Sequence, residues 1–195
     1  MQEIIQLFSD SDFNWIGISA AFFGILYVIL AAKENIWCWP SAAISAFLQM
    51  WIFYKCYPAQ SALQIFYIMM TVYGYIMWNK TNTERIKEWS AKKHLIIISS
   101  GAILTFIIGV ILTKYFNTSK QTPIDALTTV FSVFACYMVA KKVLENWLYW
   151  IIIDSLIVYL CYIQGEYFLL FQYLAYTIIA IFGYFSWIQR MKIDD

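Results

Sequence analysis

Charge is what this sequence has least of: Asp, Glu, Lys and Arg make up 13% of its 195 residues, where an ordinary soluble domain carries roughly a quarter. So few charges cannot cover the exterior of a soluble chain of this length. Histidine occurs once, as His94, which excludes two-histidine sites such as an HExxH metalloprotease or a bis-histidine haem; a structural role at a helix end is expected for it. The four cysteines, Cys38, Cys56, Cys136 and Cys161, form no CxxC pair, and each lies in or beside an apolar run, so free buried thiols are expected. Three prolines and seven glycines are too few for a collagenous or Pro/Gly-rich disordered chain. A net charge of +1 offers no electrostatic footprint for nucleic acid. Nothing resembles a P-loop, so no nucleotide site and no cofactor is expected.

What is present is apolar: 62% of residues are hydrophobic and 20% aromatic, with a mean hydropathy of +0.65. A bilayer is the solvent that fits. A helix crossing its hydrocarbon core needs about 20 mainly apolar residues, and the few charges cluster at that spacing. The sequence predicts an all-α, polytopic membrane protein with seven transmembrane helices, at about 15–32, 36–54, 61–78, 94–114, 124–140, 146–163 and 167–188. Lys and Arg fix the orientation, because loops rich in them stay cytoplasmic. Lys33, Lys80, Arg85, Lys87, Lys92, Lys93, Lys141, Lys142, Arg190 and Lys192 fall on one side, and only Lys55, Lys114 and Lys120 on the other. The N-terminus is therefore expected outside and the C-terminus in the cytoplasm. Glu3, Asp10 and Asp12 are not the basic start of a cleavable signal, so the first span is expected to remain in the mature protein. Trp15, Trp37, Trp39, Trp78, Trp89 and Trp187 sit near predicted span ends, where an aromatic belt is expected.

The sequence repeats itself. Glu34-Asn35-Ile36-Trp37-Cys38-Trp39 opens the second span and Glu145-Asn146-Trp147-Leu148-Tyr149-Trp150 the sixth, while Tyr67, Gly74, Tyr75 and Trp78 match Tyr176, Gly183, Tyr184 and Trp187 at one offset. Two parallel three-helix repeats, 15–78 and 124–188, joined by a linker helix at 94–114 are therefore expected, in the manner of SWEET-type transporters. Gly74 and Gly183 read as close-packing residues, and Pro40 as a helix-start proline.

Asp154 lies mid-span, where a carboxylate costs about 2.5 to 3.5 kcal/mol even on insertion scales. Asn146, Trp147, Trp150 and Asp154 recur at helical spacing and share one face. Two indoles to stack on a flat cationic ring and a carboxylate to offset its charge form a candidate receptor. The alternative is that the indoles are interfacial anchors and Asp154 bonds a neighbouring helix. A second stripe holds Gln64 and Tyr67, with Gln64 open between ligand contact and helix–helix hydrogen bond.

Taken together, Trp37-Cys38-Trp39-Pro40, Leu63-Gln64-Ile65-Phe66-Tyr67, Tyr73-Gly74-Tyr75 with Trp78, Glu145-Asn146-Trp147-Leu148-Tyr149-Trp150 with Asp154, and Gly183-Tyr184 with Trp187 resemble the PnuC family of bacterial vitamin transporters. The resemblance implies a full-length SWEET-like fold in the bacterial inner membrane. It implies uptake of nicotinamide riboside by facilitated diffusion, with phosphorylation by a cytoplasmic kinase trapping the product, and a homotrimer. Thiamine is the alternative substrate, since it too carries a cationic ring; neutral riboflavin suits the carboxylate less well. The family's WxxWxxY tryptophans correspond to Trp147 and Trp150 and its glutamine to Gln64, but Ile153 stands where the motif has Tyr. Two other readings compete: an intramembrane enzyme using Asp154, which lacks a second carboxylate for acid–base pairing, and a structural subunit without ligand.

Overall fold

The computed structural model describes residues 11–53, 58–80, 85–116 and 122–194. The described residues form seven helices in order: α1 Ser11–Ala32, α2 Cys38–Phe53, α3 Pro58–Lys80, α4 Ala91–Phe116, α5 Thr122–Ala140, α6 Asn146–Gln164 and α7 Tyr167–Asp194. Among the described residues the one departure from helix and turn is an isolated bridge between Lys87 and Val143. Five helices are long and apolar enough to cross a membrane: α1, α4, α5, α6 and α7. The other two of the seven predicted spans are helical but fall short of that standard as described. α2 has 16 residues, and α3 carries Gln60, Ser61, Gln64 and Thr71 along its length. At 1.5 Å per residue the 28 residues of α7 extend to about 42 Å, longer than the roughly 30 Å hydrocarbon core, and they end with Arg190 and Lys192.

The chain divides into two compact units, Met1–Asn82 and Thr83–Asp195. In the first, α2 packs against both α1 and α3; in the second, α6 packs against both α5 and α7, and α4 packs on α5. Gly101 of α4 meets the Phe131 ring of α5, where an added Cβ would stand 2.7 Å away. Most of the rest of α4 is exposed, including Leu95, Ile96, Ile103 and Phe106, as expected of a helix bathed in lipid.

The same corner is built in each unit. After α1, Glu34 takes a left-handed φ of 52°, Asn35 N–H returns to the Leu30 carbonyl (2.9 Å), and Cys38 N–H bonds the Asn35 carbonyl (2.9 Å). After α5, Lys142 takes a φ of 51°, Val143 N–H returns to Met138 (2.9 Å), and Asn146 N–H bonds Val143 (3.1 Å). Each pair of equivalent residues is 108 positions apart. The Glu-Asn match read from sequence falls three residues out of this register. Glu34 is a turn residue equivalent to Lys142, whereas Glu145 stands at the N-cap of α6. The counterpart of Trp39 is accordingly Trp147. In this register the α6 stripe Asn146, Trp147, Trp150 and Asp154 corresponds on α2 to Cys38, Trp39, Ala42 and Ala46.

Pro40 is the third residue of α2, inside the first turn where its missing N–H costs nothing. The α6–α7 connection is closed by Gly165 at φ 77°, with Glu166 N–H on the Cys161 carbonyl at 2.9 Å, a Schellman-type end that favours glycine. Cys38, Cys136 and Cys161 are buried free thiols; Cys56 lies outside the described residues.

Candidate functional site

In the first unit the amides of α2 and α3 join in one hydrogen-bonded chain, while Trp39 Nε1 is buried without a partner. Ser45 Oγ donates to the Ala20 carbonyl (2.8 Å), Gln49 Nε2 donates to Ser45 Oγ (3.1 Å), and Gln64 Nε2 donates to Gln49 Oε1 (3.3 Å). Gln64 is buried and thus engages in a helix–helix hydrogen bond. Tyr67, half-buried one turn further on, lies edge-on to Phe66. Above this chain the Trp39 indole lies over Gly74, where no side chain has room, and meets Trp78 edge to face at 5.4 Å.

The second unit repeats the indole clasp and changes the chemistry around it. Trp147 lies over Gly183, where an added Cβ would stand 2.8 Å from the ring, and meets Trp187 edge to face at 5.4 Å. Gly74 and Gly183 are packing residues, as their spacing predicts. Trp39, Trp78 and Trp187, expected in the interfacial belt, are instead buried; each fills a helix–helix seam, and span-end position alone does not separate the two roles. Trp15 and Trp37, 69% and 67% exposed, do lie outside the core.

Along α6 the buried polar atoms are left open. Asn146 is fully buried and donates through Nδ2 to the Val143 carbonyl at 2.6 Å, yet its Oδ1 has no partner. Trp147 Nε1 and Asp154 Oδ1 are likewise buried without partners. Asp154 is 3% exposed, so its carboxylate is not relieved by solvent. Trp150 is half-buried and stands about 6 Å along the helix axis from Asp154, whereas Trp147 stands about 10 Å from it, at 1.5 Å per residue. The four predicted residues of α6 therefore share one unit and one face, graded from the fully packed Trp147 to the more accessible Trp150. Gln64 and Tyr67 belong to the other unit.

Sequence reasoning left two residues of this neighbourhood aside. On α7, Gln172 Nε2 donates to the Tyr176 hydroxyl at 2.6 Å, and Tyr176, seven residues before Gly183, stands level with Asp154, seven residues after the Trp147 that packs on that glycine. Their four-residue spacing, which lets an amide reach a phenol on one helix, was the available signal.

The base of α6 is tied down from the segment before α4. Both carboxylate oxygens of Glu145 accept from the Trp89 N–H (3.1 and 3.3 Å). Lys87 N–H bonds the Lys142 carbonyl and Leu144 N–H bonds the Lys87 carbonyl. His94 sits with Nδ1 3.1 Å from the Tyr149 hydroxyl and Nε2 3.5 Å from Glu145 Oε1. Its role in this corner is structural, as its position suggests. Among the described residues no cluster of His, Cys, Asp or Glu is arranged to hold a metal.

A family model described as "Nicotinamide mononucleotide transporter" matches residues 14–189. The chain is 25% identical to the nicotinamide riboside transporter PnuC of Escherichia coli, over 93% of this chain and 88% of the relative. It is 22% identical to the riboflavin/roseoflavin transporter RibM of Streptomyces davaonensis, over 95% and 90%. A crystal structure of the vitamin B3 transporter PnuC superposes on it with a TM-score of 0.79, covering 100% of this chain and 88% of that one at 23% identity. Fold and relatives together define a multi-pass membrane transporter and not an enzyme. The chain belongs to the nicotinamide mononucleotide transporter family, the PnuC family of the sequence resemblance.

Proposed function

We propose that this transporter carries a small vitamin with a cationic aromatic ring, nicotinamide riboside foremost, and that the α6 face recognises it. The observation that carries the reading is the buried Asp154 carboxylate with one unpartnered oxygen, one helical turn from the half-buried indole of Trp150. A pyridinium ring stacked on Trp150 gains cation–π attraction and is offset by the carboxylate beyond it. Trp147, packed on Gly183 and Trp187, sets the wall of the site, and Asn146 on the same stripe keeps an unbonded amide oxygen. On the first unit, Gln64, hydrogen-bonded to Gln49, and Tyr67 are the substrate contacts we propose.

Uptake is by facilitated diffusion across the bacterial inner membrane, with the N-terminus outside, and a cytoplasmic kinase retains the product as its phosphate. The helices at 15–78 and 124–188 act as two repeats with 94–114 as linker, and the chain assembles as a homotrimer. Thiamine shares the cationic ring and is the alternative substrate. Riboflavin is a third, favoured by the 22% identity to the riboflavin/roseoflavin transporter and disfavoured by Asp154, since a neutral ring gains nothing from the charge.

The test is a titration of the purified protein with nicotinamide riboside, thiamine and riboflavin, followed through quenching of its nine tryptophans. Saturable quenching by nicotinamide riboside at the lowest concentration is expected. Tighter binding of riboflavin than of either cationic vitamin would replace the proposed substrate class.

A further inference from the structure

Packing leaves one pair of groups in the second unit unexplained. Asp154 Oδ1 is a buried acceptor without a donor. The Tyr176 hydroxyl oxygen accepts from Gln172 Nε2 at 2.6 Å, which leaves its own proton to donate. Among the described residues that proton has no acceptor. Trp147 of α6 packs on Gly183 of α7; Asp154 lies seven residues on from Trp147 and Tyr176 seven residues back from Gly183, so in this antiparallel pair both stand at one level on the faces that meet, yet no hydrogen bond joins them.

An acceptor lacking a donor beside a donor lacking an acceptor is complementary to an alcohol, which gives a proton to the carboxylate and takes one from the phenol through a single oxygen. We propose that Asp154 and Tyr176 form a seat for a substrate hydroxyl of the kind a pentose carries, with Gln172 as the positioning residue that aims the phenol. The inference rests on the reading of α6 as the substrate-binding face and adds which part of the substrate lies where. The ring stacks at Trp150; the sugar lies about 6 Å further along the helix axis. It also accounts for Ile153, which is buried and stands where the motif has Tyr. The phenol is supplied from the facing helix instead.

Calorimetric titration of the full chain tests the seat with two probes that share a ring and differ in the sugar, nicotinamide riboside and the N-methylnicotinamide cation. Tyr176→Phe is expected to weaken the riboside about tenfold more than it weakens N-methylnicotinamide, the scale of one hydrogen bond to a charged or charge-assisted partner. Gln172→Leu, which keeps the phenol and frees its orientation, is expected to give a smaller selective loss. The 2′-deoxy and 3′-deoxy ribosides put the same question to the unaltered protein: one of them binds about tenfold more weakly than the riboside.

Equal weakening of both probes by Tyr176→Phe, or deoxyribosides that both bind as the riboside does, would overturn the seat; a water molecule is then the group filling the gap. Wild-type protein that binds N-methylnicotinamide as tightly as the riboside also overturns it, while leaving the cationic-ring reading in place. Binding of neither probe overturns that reading and the seat together.

Discussion

An unpartnered carboxylate oxygen in the middle of an apolar helix works against folding. Asp154 is 97% covered, no donor reaches its Oδ1, and a buried group left unsatisfied costs about 1–3 kcal/mol. A residue kept for packing would relieve that cost; one kept for a ligand would not. Asp154→Asn is therefore expected to raise the thermal unfolding midpoint in detergent and to weaken nicotinamide riboside more than tenfold. Unfolding followed by tryptophan fluorescence and the quenching titration check the two halves separately. A variant that is both less stable and unchanged in binding would make Asp154 a strut between helices.

At the scale of the elements, each unit is locked by an indole laid over a glycine. An alanine at Gly183 would place a methyl 2.8 to 2.9 Å from the Trp147 ring, which also meets Trp187 edge to face. Such overpacking costs about 1–3 kcal/mol. Gly183→Ala is expected to lower the unfolding midpoint by several degrees, and Gly74→Ala to act likewise through Trp39; unchanged midpoints would show that the indoles swing aside freely.

A second element-scale device is the strap before α4. Its main-chain N–H at Trp89 is held by Glu145, and it presents exposed Arg85 and Lys87. Glu145→Ala is expected to speed tryptic cleavage at Arg85 and Lys87 severalfold, with Glu145→Gln, which still accepts a hydrogen bond, lying between. Equal digestion of all three forms would show that the backbone pairing of Lys87 with Lys142 and Leu144 holds the strap alone.

What was legible in the sequence follows from the strength of each physical signal. Runs of about 20 apolar residues bounded by Lys and Arg define helices with little ambiguity, and all seven formed. Gly74 with Trp78 and Gly183 with Trp187 were legible because an identical spacing on one helix is an identical face. The corner was misread by three residues, since two matching letters, Glu-Asn, carry less information than the left-handed turn that sets the register. The burial of Trp39, Trp78 and Trp187 was not legible: an interfacial indole and a packed one occupy the same span-end positions. Tyr176 and Gln172 were hidden for a related reason, because their pairing is local to α7 while the group they face is on α6.

For the molecule as a whole, orientation rests on ten basic residues against three. The strap and both Lys-bearing corners are then expected on the cytoplasmic side. A cysteine placed at Lys87, in a chain with Cys56 replaced, is expected to react with an impermeant maleimide in inverted vesicles and not in intact cells; the reverse pattern would invert the topology. Transport itself is expected to run down the substrate gradient. Uptake of nicotinamide riboside into proteoliposomes should equal the outside concentration and be indifferent to a protonophore, and accumulation above that level driven by a pH gradient would show coupling.

The shared register between α2 and α6 has a further consequence for how this chain tolerates change. At the positions where α6 carries Asn146, Trp150 and Asp154, α2 carries Cys38, Ala42 and Ala46, while the clasping Trp39 and Trp147 are common to both. On the proposed reading of α6, one copy of the architecture serves as frame and the other as reader. Selection for a new cargo would then act on a handful of α6 positions whose structural template is kept, in duplicate, by a sister helix that carries Cys38, Ala42 and Ala46 there.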